Sequence, residues 1–174
     1  MSYYTRRELT SRPIRIAKAI AEQVHTKTAA QQHHIFLSHS HKDKELVLYI
    51  ADFLKQWADG IYVDWNDSSM PQVTSPETAT LLKTKIRDTA KFILLATDNA
   101  IASRWVPWEL GVADLSNGMK NVAVLPVTEP PRSWPGSEYV GIYSTIEKSD
   151  SGEPAVFEPG ESNGITLSRW LTRS

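Results

Sequence analysis

The stretch His34-Ile35-Phe36-Leu37-Ser38-His39-Ser40-His41-Lys42-Asp43 opens as an apolar run and breaks abruptly into hydroxyls, imidazoles and an ammonium. Such a short run bounded by polar residues reads as a strand buried on both faces. Ser40-x-x-Asp43 resembles a capping box, and the spacing of Leu46, Ile50, Phe53, Leu54 and Trp57 predicts a helix from about Lys42 to Ala58. Three similar runs follow, at Ile61-Tyr62-Val63-Asp64, Phe92-Ile93-Leu94-Leu95-Ala96 and Val122-Ala123-Val124-Leu125-Pro126. Between them, Ser75-Pro76-Glu77 starts a helix carrying Ala79, Leu82 and Ile86, and another follows Ser103 and stops at Gly118. Strand and helix in alternation is the pattern of βαβ units, so the expected fold is α/β with three layers around a mainly parallel sheet.

Outward from this centre, Pro, Gly and Ser become frequent after Val127. There the pattern predicts a hairpin, Tyr139 to Glu147 against Ala155 to Glu158 through Ser149-Asp150-Ser151-Gly152, and a closing helix over Thr166 to Leu171. Toward the N-terminus, Ile14, Ala17, Ile20, Ala21 and Val24 behind Pro13 predict an amphipathic helix within residues 12–31. The expected organisation is an N-terminal helical extension over residues 1–32 and one domain over residues 33–174. Glu8 and Glu22 interrupt the run of Arg6, Arg7, Arg12 and Arg15, which favours a helix packed on its own domain or a second subunit over a transit peptide.

The 174 residues carry 19 Lys+Arg against 20 Asp+Glu and no Cys. A near-neutral chain lacks the basic excess that phosphate neutralisation needs, so no nucleic-acid partner is expected. Without cysteine there is no disulfide framework, thiolate nucleophile or Cys-zinc site. Neither an apolar span nor a signal-peptide pattern is present, and a cytoplasmic protein without a membrane partner is expected. His33, His34, His39 and His41 crowd the first strand, but no His-Glu-x-x-His motif accompanies them, and no metal is assigned. Glycine-rich dinucleotide and P-loop motifs are absent as well.

One carboxylate stands out. With ~100° per residue and Trp105 at the origin, Glu109 falls near ~40°, between Val112 and Ala113, whereas Asp114 falls near ~180° on the solvated side. A carboxylate among Trp, Val and Ala must be paired, protonated or facing a ligand. It is either a buried ion pair or cap, or a functional group near the carboxyl ends of the strands, where open parallel sheets place their ligands.

Three segments, Ile35 to Asp43, Ile61 to Asp64, and Ser103-Arg104-Trp105-Val106-Pro107-Trp108-Glu109-Leu110, resemble the first box, second strand and Trp-x-x-x-Glu helix of TIR (Toll/interleukin-1 receptor) domains, most closely bacterial ones. The resemblance spans about residues 33 to 172. It implies a flavodoxin-like fold and, as in many family members, cleavage of the nicotinamide-ribose bond of NAD with Glu109 as the catalytic residue. NAD is then the substrate, and no cofactor is expected. The loop Trp65-Asn66-Asp67-Ser68-Ser69-Met70-Pro71-Gln72 lacks the Arg-Asp and Pro-Gly of signalling adaptors, which argues against adaptor docking.

Nicotinamide leaves NAD as a neutral molecule, so no general acid is needed. One carboxylate that stabilises the ribosyl cation can suffice, unlike the pair used by glycosidases. Water would give ADP-ribose, the adenine of the same molecule a cyclic ADP-ribose, and another nucleophile a transfer product; the sequence does not choose among them. Ser38, His39 and Ser40 are assigned to the ribose-phosphate side, with His39 a donor, and Trp65 to the loop over the pocket. Arg104 and Trp105 are assigned to its wall. Trp65 or Trp105 either stacks on a base or belongs to the core, and Asp64 holds a ribose hydroxyl or bonds backbone at a strand end. Family resemblance further implies a homo-oligomer or TIR-TIR assembly, a separate effector reading the product, and anti-phage defence of the Thoeris kind. The competing readings are a non-catalytic TIR interaction module and a nucleoside deoxyribosyltransferase-like enzyme.

Overall fold

A computed structural model of the chain describes residues 2–11, 34–66, 75–129, 136 and 138–173. The amphipathic helix expected within residues 12–31, His33, and all of the loop Trp65 to Gln72 beyond Asn66 lie outside them. In chain order the elements are β1 (Tyr4–Thr5), α1 (Arg6–Thr10), β2 (His34–Ser38), α2 (Lys44–Leu54), β3 (Gly60–Tyr62), α3 (Pro76–Arg87), β4 (Lys91–Ala96), α4 (Asp98–Ile101), α5 (Val106–Asn117), β5 (Val122–Thr128), β6 (Ser144–Lys148), β7 (Pro154–Phe157), β8 (Ile165–Thr166) and α6 (Leu167–Thr172).

One sheet runs β3-β2-β4-β5-β6-β7-β8, parallel from β3 to β6 and antiparallel beyond. The register pairs Phe36 with Phe92 and Phe92 with Val122, and side-chain alternation then divides the core into two layers. Ile35, Leu37, Ile93, Leu95, Ala123 and Leu125 face α2 and α6, while Phe36, Phe92, Leu94, Ala96, Val122 and Val124 face α3 and α5. Because both faces are covered, the central strands need apolar residues at every position, which is why they read as unbroken runs. This is the expected flavodoxin-like arrangement, and the chain reverses direction across the sheet between β2 and β4.

Residues 2–11, on the extension side of the boundary expected at residue 32, join the same body. Tyr4 and Thr5 pair in parallel with Val127 and Thr128, past the point where β6 has left β5, and Tyr4 and Leu9 enter the core beside α2. Thr5 and Glu8 form the capping box that starts α1. The strand signal was hidden because a two-residue strand has no period to read. The hairpin is shorter than expected, since Val140 and Tyr143 pack on the α5 layer before β6 begins. Ser40 and Asp43 do not form a capping box either. Ser40 Oγ accepts from Lys42 N, and the Asp43 carboxylate turns elsewhere. Gly118, at φ +80°, ends α5 in the left-handed region that a side chain resists.

Phe92 is fully buried and stacks on Phe36 with centroids 5.4 Å apart. Phe92→Ala removes this contact and leaves a cavity between sheet and helices, at an expected cost of about 3–5 kcal/mol. Leu115→Ala, on a residue 90% exposed, is expected to change stability by less than about 0.5 kcal/mol. Urea unfolding midpoints of the two variants check the contrast.

Candidate active site

Ser38 is the last residue of β2, and alternation places its hydroxyl on the Phe36 side, toward α5. Ser103 Oγ accepts from the amides of Trp105 and Val106 and so organises the start of that helix, whose first turn carries Glu109 on the same buried side as Val106, Leu110 and Ala113. Ser38 Oγ donates to Glu109 Oε2 at 2.6 Å, joining residues 71 positions apart. Glu109 is only 6% exposed. Burial pushes its carboxyl up to about 8, the negative charge of Asp64 adds to the rise, and the Ser38 bond opposes it. The helix N-terminus favours an anion there, but the cost of desolvating the carboxylate outweighs it.

His39 turns the other way. A carbonyl can only accept, so the 3.0 Å contact with Leu37 O places the imidazole hydrogen on Nδ1. Nε2 is buried without a hydrogen-bond partner among the described residues, 3.6 Å from Asp64 Oδ1. Burial holds the His39 pKa below the ordinary histidine value, against the opposing pull of Asp64. The ring is therefore neutral near pH 7, and its free nitrogen is an acceptor, not the donor expected from the sequence. Asp64 Oδ1 accepts from Trp65 N at 2.8 Å, the strand-end backbone bond that was one of two expectations, and Oδ2 lies 3.9 Å from the exposed His41.

The remaining expected residues are spread around this edge. Ser40 is buried and caps the turn His41–Asp43, and Arg104 is exposed. Trp105 immediately precedes α5 and packs edge-on to Trp108, 5.1 Å between centroids. Trp65 lies in the turn Asp64–Asn66 against the α2 core layer, with Lys44 over its ring at 5.7 Å and His39 at its edge. It is thus seated on the sheet rather than suspended over the edge. Among the described residues no group of three His, Cys, Asp or Glu is arranged to hold a metal ion.

Asp43 was read only as a cap. Its buried carboxylate instead accepts from Thr97 Oγ1 (2.6 Å), Asn99 Nδ2 (2.8 Å) and Arg6 (3.5 Å), tying the ends of β2 and β4 to α1. The sequence signal was slight, because Thr97 and Asn99 look like an ordinary cap and helix start. At the opposite end of the strands, a groove of about 320 Å³ is lined by Lys91, Lys120, Trp170 and Arg173 among others. Its buried ammonium, Lys91, already donates to Asn121 Oδ1 and Arg173 O and packs on Trp170, which makes it a latch for the C-terminal helix.

The family model described as TIR domain matches residues 35–153. A protein of Bacillus cereus named "Probable 3' cyclic ADP-D-ribose synthase ThsB'" is 33% identical over 168 residues, 91% of this chain and 86% of that protein. A Cytobacillus dafuensis protein with "cyclic ADP-D-ribose synthase TIR2" in its name is 32% identical over 79 residues, 44% of this chain and 21% of that protein.

The raised carboxyl pKa links the site to stability. The ordinary value is 4.5 and the buried one about 8, so the native state tolerates neutral Glu109 below pH 4.5 and is penalised increasingly as pH rises through about 8. Glu109→Gln removes this titration. Thermal melts are expected to shift in favour of the variant, relative to the unsubstituted protein, between pH 5 and pH 9, and a difference constant with pH would contradict the assignment.

Proposed function

Since the chain belongs to the TIR domain family, we propose that it cleaves the nicotinamide-ribose bond of NAD and releases nicotinamide with an ADP-ribose product, closed into a cyclic ADP-ribose as the names of its relatives indicate. The observation that carries the assignment of the centre is the buried Glu109 carboxyl held by Ser38 at the strands' carboxyl edge. A cationic nicotinamide-ribosyl group brought against this carboxyl neutralises the charge that burial penalises. The proton is then released and the carboxylate is formed where positive charge develops on the ribose. Water exclusion strengthens that stabilisation, and the Ser38 bond fixes the carboxyl orientation so that little reorganisation is needed as the bond breaks.

Around this centre we assign Ser38, His39, Ser40 and Asp64 to the ribose side, Trp65 and Trp105 to flanking walls, and Arg104 to the rim. The product serves as a signal for a separate effector in anti-phage defence, and copies of the chain assemble through the TIR domain. No helix among the described residues is long and apolar enough to cross a membrane.

Incubation with NAD is expected to release nicotinamide, and Glu109→Gln to lose at least about 100-fold in kcat with the fold retained. Deoxynucleoside and free base offered in place of NAD separate out base exchange, and an inactive protein with a fully folded Glu109 would favour an interaction module. For the active protein, kcat/KM is expected to rise from pH 6 toward pH 9 as Glu109 loses its proton, reporting the free-enzyme group near about 8. A profile flat across that range would sink the assignment of Glu109.

A further inference from the structure

Cleavage of NAD with attack by an O–H nucleophile is not proton-neutral. The C–N bond breaks and its electron pair leaves with nicotinamide, a C–O bond forms at the ribosyl carbon, and the attacking hydroxyl or water must give up one proton. Glu109 is poorly suited to take it. Its task is to stay ionised beside the ribosyl cation, and a proton arriving there would cancel that stabilisation. An adenine ring nitrogen, by contrast, attacks with a lone pair and sheds no proton as the bond forms.

The same edge carries an unused acceptor. Asp64 is near enough to Glu109 for its charge to be felt there, and its side chain is 18% exposed. Behind it lies His39, whose ring is pinned by the Nδ1–H bond to Leu37 O. That bond forces the lone pair of Nε2 toward Asp64 Oδ1, 3.6 Å away, with no other partner among the described residues. A buried acceptor with nothing to accept from is costly, and its persistence beside a carboxylate calls for a reason. Other titratable groups facing His39 are His41, with ring centroids 6.2 Å apart, and the Asp43 carboxylate; Lys44 lies over the Trp65 ring.

We infer that Asp64 and His39 form a proton-accepting pair for an O–H nucleophile in NAD cleavage. The inference rests on the proposed NAD reaction. Asp64 takes the proton from the attacking hydroxyl and passes it to His39 Nε2, leaving an imidazolium facing a carboxylate, the arrangement in which the buried charge is best compensated. The gap of 3.6 Å closes to a hydrogen bond with a shift of a few tenths of an ångström, a tightening common when a substrate seats. Asp64 is the catalytic residue of the pair, and His39 a positioning residue that acts through it. Release of the proton to water, past exposed His41, resets the site.

The test begins with the unsubstituted protein, whose two-bond nitrogen–hydrogen NMR spectrum is expected to show His39 protonated on Nδ1 and bare on Nε2 at neutral pH. The opposite tautomer would overturn the inference whether or not NAD is cleaved. In His39→Asn the amide can still donate to Leu37 O, while the basic nitrogen that takes the proton is gone. This variant and Asp64→Asn are each expected to lose roughly 100-fold or more in kcat with KM within about 3-fold. In the unsubstituted protein kcat is expected to fall on the acid side as His39 takes up a proton, a limb separate from the Glu109 rise in kcat/KM, and His39→Asn is expected to lose it from its residual activity. Activity within about 3-fold of the unsubstituted protein with the acid limb kept, or a product whose ribosyl carbon is bonded to an adenine nitrogen, overturns the pair. A protein that cleaves NAD, needs Glu109 and is indifferent to His39 and Asp64 would fail this inference alone, whereas absence of cleavage would fail the NAD reading.

Discussion

A carboxyl group has been carried into a water-poor interior and given one strong partner, and the rest of the site follows from that constraint. The Ser38–Glu109 bond exists only where the end of β2 and the first turn of α5 approach each other. Their approach depends on the parallel register of β2, β4 and β5, on the apolar filling of the layer beneath α5, and on the Ser103 amide bonds that start the helix. Glu109 is thus held in place by packing, with the Ser38 hydroxyl as its partner and burial favouring its neutral form.

Three carboxylates share this edge, and their surroundings separate their roles. Among the described residues Glu109 has a single hydroxyl donor, and burial dominates its pKa. Asp43 is buried too, yet it receives Thr97, Asn99 and Arg6, and these donors make it a structural tie between strand ends and the N-terminal segment. Asp64 is partly exposed and faces two imidazoles, only one of which is buried. Like groups within one small region are therefore set apart by how many donors each is given: Asp43 is a clamp, and the roles proposed above fall to Glu109 and Asp64.

Much of the architecture was legible because burial on both faces leaves an unambiguous mark. The runs at residues 34–38, 92–96 and 122–126 could be read without ambiguity, and Gly118 marked the end of α5. The hydrophobic wheel around Trp105 singled out Glu109, since an acid on an apolar face breaks a period that composition alone makes visible. Tyr4 and Thr5 gave no such sign, because their partner strand lies more than 120 positions away and two residues have no periodicity. Lys91 was likewise opaque: an ammonium at a strand end looks solvated until the backbone carbonyl of Arg173 and the ring of Trp170 close over it.

The amino-acid sequence by itself determined the α/β order, the apolar layers and the candidate carboxylate, all of which depend on local spacing and on which residues water rejects. The tertiary structure decided the direction of each hydrogen bond. His39 looks like a pocket donor in one dimension, but in three the Leu37 carbonyl claims its only hydrogen and leaves Nε2 as an acceptor. Ser38 became the partner of Glu109, and Asp43 was diverted from capping to clamping, for the same reason: a polar group's role is set by which complementary atom is within about 3 Å of it, and that atom is supplied by a distant part of the chain.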